Sequence, residues 1–229
     1  MARVARIVIP GLAHHVTQRG NNRQDVFFVD DDRRAYLELL RQRCQDAGVS
    51  ILGYCLMSNH AHLVAVPRDE QSLARALGRT HFMFTQYVNR LHRRSGHLWQ
   101  NRFYSCPLDE PHTWAALRYV ERNPVGAGLV RRAWRYPWSS AAAHVGEAAD
   151  GAGLLDLAAW RAAWTPARWR AALTDPLDEA LVRSLRRCTQ TGRPLASDSL
   201  LSKLERRLGR RLRPLPTGRP RKTPPVADK

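Results

Sequence analysis

Residues 49–67 read VSILGYCLMSNHAHLVAVP, and this stretch decides the fold. Residues 49–57 and 60–66 are apolar runs with Val and Ile, and only Ser58 and Asn59 separate them. Two such runs joined by a short polar break indicate antiparallel strands in a hairpin. Pro67, which lacks a backbone N–H for the strand ladder, closes the pair. The stretch therefore predicts the centre of an antiparallel sheet.

Strand-like and helix-like patterns alternate on both sides of this hairpin. Strands are predicted over residues 12–19 and, as a strand or extended loop, over 99–106; helices are predicted over 30–47, 72–94 and from Pro111 to Arg122. The last helix should end at Asn123-Pro124, because proline disfavours helical geometry in the residue before it. The element order predicts an α+β, ferredoxin-like (split βαβ) antiparallel sheet packed on helices, with a helical and basic C-terminal extension.

The small, flexible segment 146–153 suggests a boundary, so we expect a core at 1–145, a helical extension at 146–190 and a basic, partly disordered tail at 191–229. In the extension, Thr165-Pro166 and Asp175-Pro176 each predict a helix cap followed by proline at the first helical position. Tryptophans on this Ala-rich segment favour packing over base stacking. A last helix is predicted over 199–208.

Charge points to a polyanionic partner. The 229 residues carry 37 Lys and Arg, only three of them Lys, against 20 Asp and Glu, for a net charge of +17. Codon bias can favour Arg over Lys, but it does not explain so large an excess of positive charge. Because a guanidinium grips phosphate with two hydrogen bonds and stacks on bases, the composition favours nucleic acid.

His60 and His62 stand two apart on a predicted strand, so both imidazoles face the same side and can meet one cation. The alternative is two solvent-facing histidines on an edge strand. Tyr119 and Asn123 stand one helical turn apart on one face. Two imidazole nitrogens and one amide oxygen would leave open positions on a metal, which favours Mg²⁺ or Mn²⁺ over a closed zinc site.

Four segments together resemble the REP-associated tyrosine transposases, of the HUH, single-tyrosine transposase superfamily. These are the HxH strand, HVTQRGN at 15–21, LWQNRF at 98–103 and RYVERNPV at 118–125, and the match spans roughly residues 5–140. Two positions depart from the pattern, where His14 stands for an expected Tyr and Gly126 for an expected Arg.

The resemblance implies that residues 1–145 form an HUH-type single-tyrosine transposase domain. It implies a metal-dependent endonuclease and strand transferase that nicks single-stranded DNA near a hairpin. His60, His62 and Asn123 would bind the metal, and Tyr119 would be the nucleophile that forms a 5′-phosphotyrosine and a free 3′-hydroxyl. Relatives act as monomers in cis or as dimers sharing tyrosines in trans; we expect a monomer, with a dimer as the alternative.

Several further residues are predicted to contact DNA. Arg19, Asn21, Arg23 and Arg102 are candidate DNA contacts, and Trp99 is a candidate stacking platform, a solvated surface residue being the alternative for each. In the tail, Arg219 and Arg221 lie in a basic Gly-Arg-Pro segment that can follow an A·T minor groove, a disordered charged tail being the alternative.

Three alternatives stay open from the sequence. Tyr104 is a competing nucleophile. A catalytically inactive transposase derivative would only bind single-stranded nucleic acid, and a metal-dependent nuclease would activate water without a covalent intermediate, although such sites usually enlist several carboxylates.

Scattered cysteines at 44, 55, 106 and 188 predict neither a zinc ribbon nor a redox dithiol. The apolar stretch at 7–13 is too short for a signal-peptide core, and no run approaches the roughly 18 apolar residues of a membrane span. We therefore expect a cytoplasmic, nucleoid-associated protein with reduced thiols.

Overall fold

The computed structural model describes residues 6–214. Its core is a four-stranded, fully antiparallel sheet with the strand order β2-β3-β1-β4. The core elements, in chain order, are β1 (His14–Arg19), α1 (Asp30–Ala47), β2 (Val49–Leu56), β3 (His60–Pro67), α2 (Ser72–Leu91), β4 (Tyr104–Pro107) and α3 (Glu110–Gly126). This is the predicted ferredoxin-like arrangement. Of the segment 99–106, predicted as a strand or an extended loop, only the end belongs to a strand, β4.

Local chemistry explains the ends of the first helix. Two backbone N–H groups, of Phe28 and Val29, donate to the buried carboxylate of Asp32 and so satisfy donors at the helix start. At the other end, Gly48 takes the left-handed conformation with φ +66°, which glycine adopts without steric cost. Together they set the predicted bounds of α1.

The two faces of the sheet are covered by different helices. On one face, Val16 and Leu63 pack with α1 and α2, and on the other, Val64 and Cys106 pack with α3 and helices of the extension. On β2, a side chain at Gly53 would collide with Leu117 of α3, so glycine there allows α3 to lie close to the sheet. This close approach positions α3 over the centre of the sheet.

The prediction that α3 ends at Asn123-Pro124 is wrong. The helix continues to Gly126, with Pro124 in its last turn. Pro124 lacks the N–H that would reach the Val120 carbonyl, but the carbonyls of its own turn are still satisfied, because Asn123 accepts from the Ala127 N–H and Pro124 from the Leu129 N–H. Asn123 is therefore held in helical geometry, one turn beyond Tyr119.

Five further helices follow within the described residues. α4 (Ala141–His144) precedes the predicted boundary, α5 (Leu157–Ala163), α6 (Pro166–Thr174) and α7 (Glu179–Thr191) form the extension, and α8 (Asp198–Leu208) lies in the predicted tail. Thr165 caps α6 as predicted. Asp175-Pro176 does not open a helix; Asp175 ends α6, and α7 begins after Asp178, whose carboxylate accepts from the Ala180 N–H.

The helices of the extension lie directly on the core. The large side chains Trp160 and Trp169 are buried, as the packing interpretation expected. Gly192 ends α7 in the left-handed conformation, and the next residue, Arg193, donates to the Leu212 carbonyl. Leu204 of α8 packs on Ile9. Throughout the described chain, no helix has the length and apolar character needed to span a membrane.

Candidate active site

The two histidines of the HxH motif face the same side of the central strand β3. Strand β3 lies between β2 and β1, so the edge-strand alternative does not apply. His60 is paired with Arg19 and His62 with Thr17 on the neighbouring strand. Because directly opposite residues of antiparallel strands share a face, these four side chains lie on one surface of the sheet.

Helix α3 crosses this surface and brings Tyr119 to the histidines. The ring centroids of Tyr119 and His62 are 5.7 Å apart, in an edge-to-face arrangement. Tyr119 is 8% exposed. Beyond it, the carboxamide of Asn123 carries a buried Nδ2 atom that has no hydrogen-bond partner among the described residues. The predicted pair on α3 and the predicted pair on β3 thus meet.

Both pairs line one pocket of about 750 Å³, between the sheet, α3 and α7. Arg19 and Arg23 also line the pocket, together with residues of segment 100–104 and of α7. The full lining is His15, Thr17, Arg19, Arg23, His60, His62, Gln100, Tyr104, Tyr119, Asn123, Arg186, Thr189 and Gln190. Among these residues three are arginines and none is Asp or Glu, so the pocket is suited to an anion.

Burial keeps the histidines of the pocket neutral. It lowers the pKa of His60 to about 4; nearby Arg19 adds to this shift, and the Asn123 side chain opposes it. Burial, reinforced by His60, His15 and neighbouring arginines, holds the pKa of His62 well below its usual value. Neutral imidazole is the form that ligates metals.

The donor set fits a divalent cation. The Nδ1 atom of His60 contacts Asn59 Oδ1 at 2.5 Å and that of His62 contacts His15 Nε2 at 3.0 Å, which leaves the Nε2 atoms as ligands. Over residues 6–214, no three His, Cys, Asp or Glu side chains come close enough to hold a metal. The Asn123 carboxamide would be the third protein ligand through its oxygen, which a side-chain flip can turn toward the histidines.

Helix α7 contributes three pocket residues that the sequence analysis missed: Arg186, Thr189 and Gln190. The Nε of Arg186 donates a hydrogen bond to the Tyr119 hydroxyl at 3.2 Å, and its guanidinium lies 5.5 Å from the phenol ring. The two residues are 67 positions apart. No local sequence signal links them, because their contact depends on how α7 packs against α3.

Three predicted DNA contacts lie elsewhere. Asn21, Trp99 and Arg102 line an adjacent pocket of about 650 Å³, which shares Gln100 with the first. Trp99 is half-buried and donates its Nε1–H to the His81 carbonyl, so much of its ring packs on the core. Arg219 and Arg221 lie outside the described residues.

Tyr104 remains beside the site. It lies on β4 opposite Thr17, is 38% exposed and lines the same pocket as Tyr119.

His14, one of the two residues that depart from the family pattern, has a role in the fold. Its Nε2 accepts from the Ile9 N–H, and its Nδ1 lies 2.9 Å from the Leu12 carbonyl oxygen. Around the other departure, Gly126, there is open space.

Comparison with known proteins gives a family and a fold. The family model described as "Transposase IS200 like" matches residues 9–123. A solved REP-associated tyrosine transposase bound to a REP hairpin superposes with a TM-score of 0.52 at 18% identity, covering 61% of this chain and 82% of that one. A crystal structure assigned as a transposase from Deinococcus radiodurans R1 gives a TM-score of 0.38 at 20% identity, over 53% of this chain and 97% of that one. Among curated proteins, no sequence matches.

Proposed function

Because the chain belongs to the IS200-like transposase family, we propose that it cuts and rejoins single-stranded DNA beside a hairpin, with Tyr119 as the nucleophile. One observation carries the proposal: Tyr119, Asn123, His60 and His62 line a single basic pocket. The solved REP-associated transposase with the same fold is bound to a REP hairpin, and the net charge of +17 suits such a ligand.

The chain's own residues account for binding the DNA and orienting the attack. Arg19 and Arg23 neutralise backbone phosphates at the pocket. Arg186, already bonded to the Tyr119 hydroxyl, offsets the charge that develops there as the phenol loses its proton to water. Held by His60, His62 and Asn123, Mg²⁺ or Mn²⁺ would supply positive charge to the non-bridging phosphate oxygens.

The transfer step balances without an external energy source. The Tyr119 oxygen bonds to phosphorus, the bond from phosphorus to the 3′-oxygen breaks, and that oxygen leaves as a 3′-hydroxyl after taking up a proton. The product is a 5′-phosphotyrosine. A second 3′-hydroxyl can reverse the step and join a different strand. Since Tyr119 faces the histidines of its own chain, the proposed reaction proceeds in cis.

The proposal is tested by trapping the covalent intermediate. The protein is incubated with Mn²⁺ or Mg²⁺ and a series of single-stranded hairpin oligonucleotides labelled in turn on either side of the stem, then denatured. A labelled band at the mass of protein plus DNA supports the tyrosine mechanism. Cleavage without the band would indicate water activation, although the described part of the chain places no carboxylate in the pocket lining. Binding without cleavage would indicate an inactive binding protein.

Arg186→Gln is expected to slow adduct formation by about 100-fold, the usual effect of removing one donor from a developing anion. DNA binding should change little, because Arg186 is one of many positive charges and its hydrogen bond goes to the Tyr119 hydroxyl. Arg183→Gln is the matched control, because it removes the same charge from the same helix. Arg183 forms an ion pair with the exposed Glu179 and not with Tyr119. Equal single-turnover rates for the two variants would exclude a role for Arg186.

Replacing both Arg19 and Arg23 with Gln is expected to weaken hairpin binding and make it less sensitive to salt. Removing one phosphate-binding charge lowers the slope of log affinity against log salt by about 0.7 to 1. Fluorescence anisotropy between low and moderate salt measures the slope. Arg34→Gln is the control, because Arg34 belongs to α1, which covers the opposite face of the sheet. An unchanged slope in the double variant would contradict the proposed role of Arg19 and Arg23.

A further inference from the structure

A chain of buried hydrogen bonds runs from α7 to the HxH motif. The Thr189 hydroxyl donates to the Leu185 carbonyl at 2.8 Å, and His15 Nδ1 lies 2.7 Å from the Thr189 oxygen. On the other side of the ring, His15 Nε2 lies 3.0 Å from His62 Nδ1. The two imidazole rings are 5.2 Å apart between centroids and their planes are 9° from parallel, the arrangement of two rings hydrogen-bonded edge to edge. His15 and Thr189 are each 1% exposed.

The direction of each hydrogen bond follows from the groups available. The Leu185 carbonyl can only accept, so Thr189 gives it the hydroxyl hydrogen and can only accept from His15. His15 therefore carries its hydrogen on Nδ1. His15 is fully buried and no carboxylate of residues 6–214 contacts it, so the ring is neutral and its Nε2 lone pair accepts from His62 Nδ1–H. The remaining neighbour of the Thr189 oxygen is Cys106 Sγ, at 3.3 Å. Its thiol can donate to the second lone pair of that oxygen, so this contact agrees with the assigned directions.

We propose that Thr189 and His15 are positioning residues that hold His62 in the tautomer with hydrogen on Nδ1, so that its Nε2 lone pair faces the pocket to bind a divalent cation. The inference rests on the proposed function and deepens it. It makes α7, which lies outside the family-matched residues 9–123, part of the active site. Partners of this kind orient metal-binding imidazoles in many proteins.

Thr189→Val is the most direct variant, because valine keeps the shape of threonine and removes the acceptor. Without that acceptor, His15 can move its hydrogen to Nε2 and donate to His62, which then carries its own hydrogen on Nε2 and has no free lone pair there. We expect Mn²⁺ affinity, measured by electron paramagnetic resonance without DNA, to fall about tenfold. The Thr189→Ser variant keeps the accepting hydroxyl and should bind Mn²⁺ as the unaltered protein does.

Thr191→Val is the matched control. Thr191 lies at the end of the same helix, is exposed, and its hydroxyl also donates to the carbonyl four residues earlier. It makes no contact with His15 in the described structure. Thr191→Val should therefore bind Mn²⁺ as the unaltered protein does. Equal affinities of Thr189→Val and Thr191→Val would overturn the proposal.

A second measurement needs no variant at Thr189. Two-bond ¹H–¹⁵N spectra of the ¹⁵N-labelled, metal-free protein report the tautomer of each histidine, and a His62→Gln variant identifies the His62 signals. Hydrogen on Nδ1 supports the proposal, and hydrogen on Nε2 overturns it. Because neither readout involves cleavage, a protein that binds Mn²⁺ in this way but never forms a DNA adduct would refute the proposed function alone.

Discussion

Tyr119→Phe is expected to eliminate the covalent protein–DNA adduct, because the variant lacks the oxygen that bonds to phosphorus. The fold should persist, since the only hydrogen bond of the hydroxyl within the described structure joins it to Arg186. Removing one such bond costs about 1 kcal/mol. Hairpin binding should likewise persist, because the arginines that meet phosphate are unchanged. Denaturing gel electrophoresis with labelled DNA measures the adduct, and anisotropy measures the binding.

Tyr104→Phe decides between the two tyrosines of the pocket. Tyr104 lies on β4, whereas Tyr119 shares a helix face with Asn123 and contacts both His62 and Arg186. We therefore expect Tyr104→Phe to form the adduct still. The opposite pattern, with the adduct retained in Tyr119→Phe and absent in Tyr104→Phe, would assign the nucleophile to β4. Digestion of the adduct and mass spectrometry of the modified peptide provide an independent identification.

Glu121→Leu is expected to destabilise the protein by about 3–5 kcal/mol, the cost of leaving buried polar partners uncompensated. The Glu121 side chain is completely buried. Its carboxylate accepts from the Ser140 hydroxyl, from His144 Nδ1 at 2.6 Å and from Trp169 Nε1 at 2.8 Å. These bonds join α3 to α4 and α6, so the substitution should also loosen the helix that carries Tyr119. Urea unfolding followed by tryptophan fluorescence measures the change.

Glu147→Gln is the control for this experiment. Glu147 is partly exposed and forms ion pairs with Arg135 and Arg170 at the surface. Pairs of this kind contribute about 1 kcal/mol or less. A destabilisation of Glu121→Leu no larger than that of Glu147→Gln would show that the buried network does not hold the extension on the core.

Some sequence rules failed for identifiable reasons. Proline at 124 did not end α3: it loses one backbone hydrogen bond, and the packing around this buried residue keeps the helix continuous to Gly126. Asp175-Pro176 resembles a helix start but forms the end of α6, since Asp178 provides the cap for the next helix. Each failure comes from competition between a local preference and the packing around it.

The fold, and the pairing within each half of the site, could be predicted because both depend on local periodicity. Alternation along β3 places His60 and His62 on one side, and one helical turn places Asn123 beside Tyr119. The meeting of those halves with α7 could not be predicted. His15 and Thr189 touch across 174 positions, and Arg186 reaches Tyr119 across 67. Such contacts arise when apolar helix faces pack on the sheet, and no short-range spacing in the chain encodes where those faces come to lie.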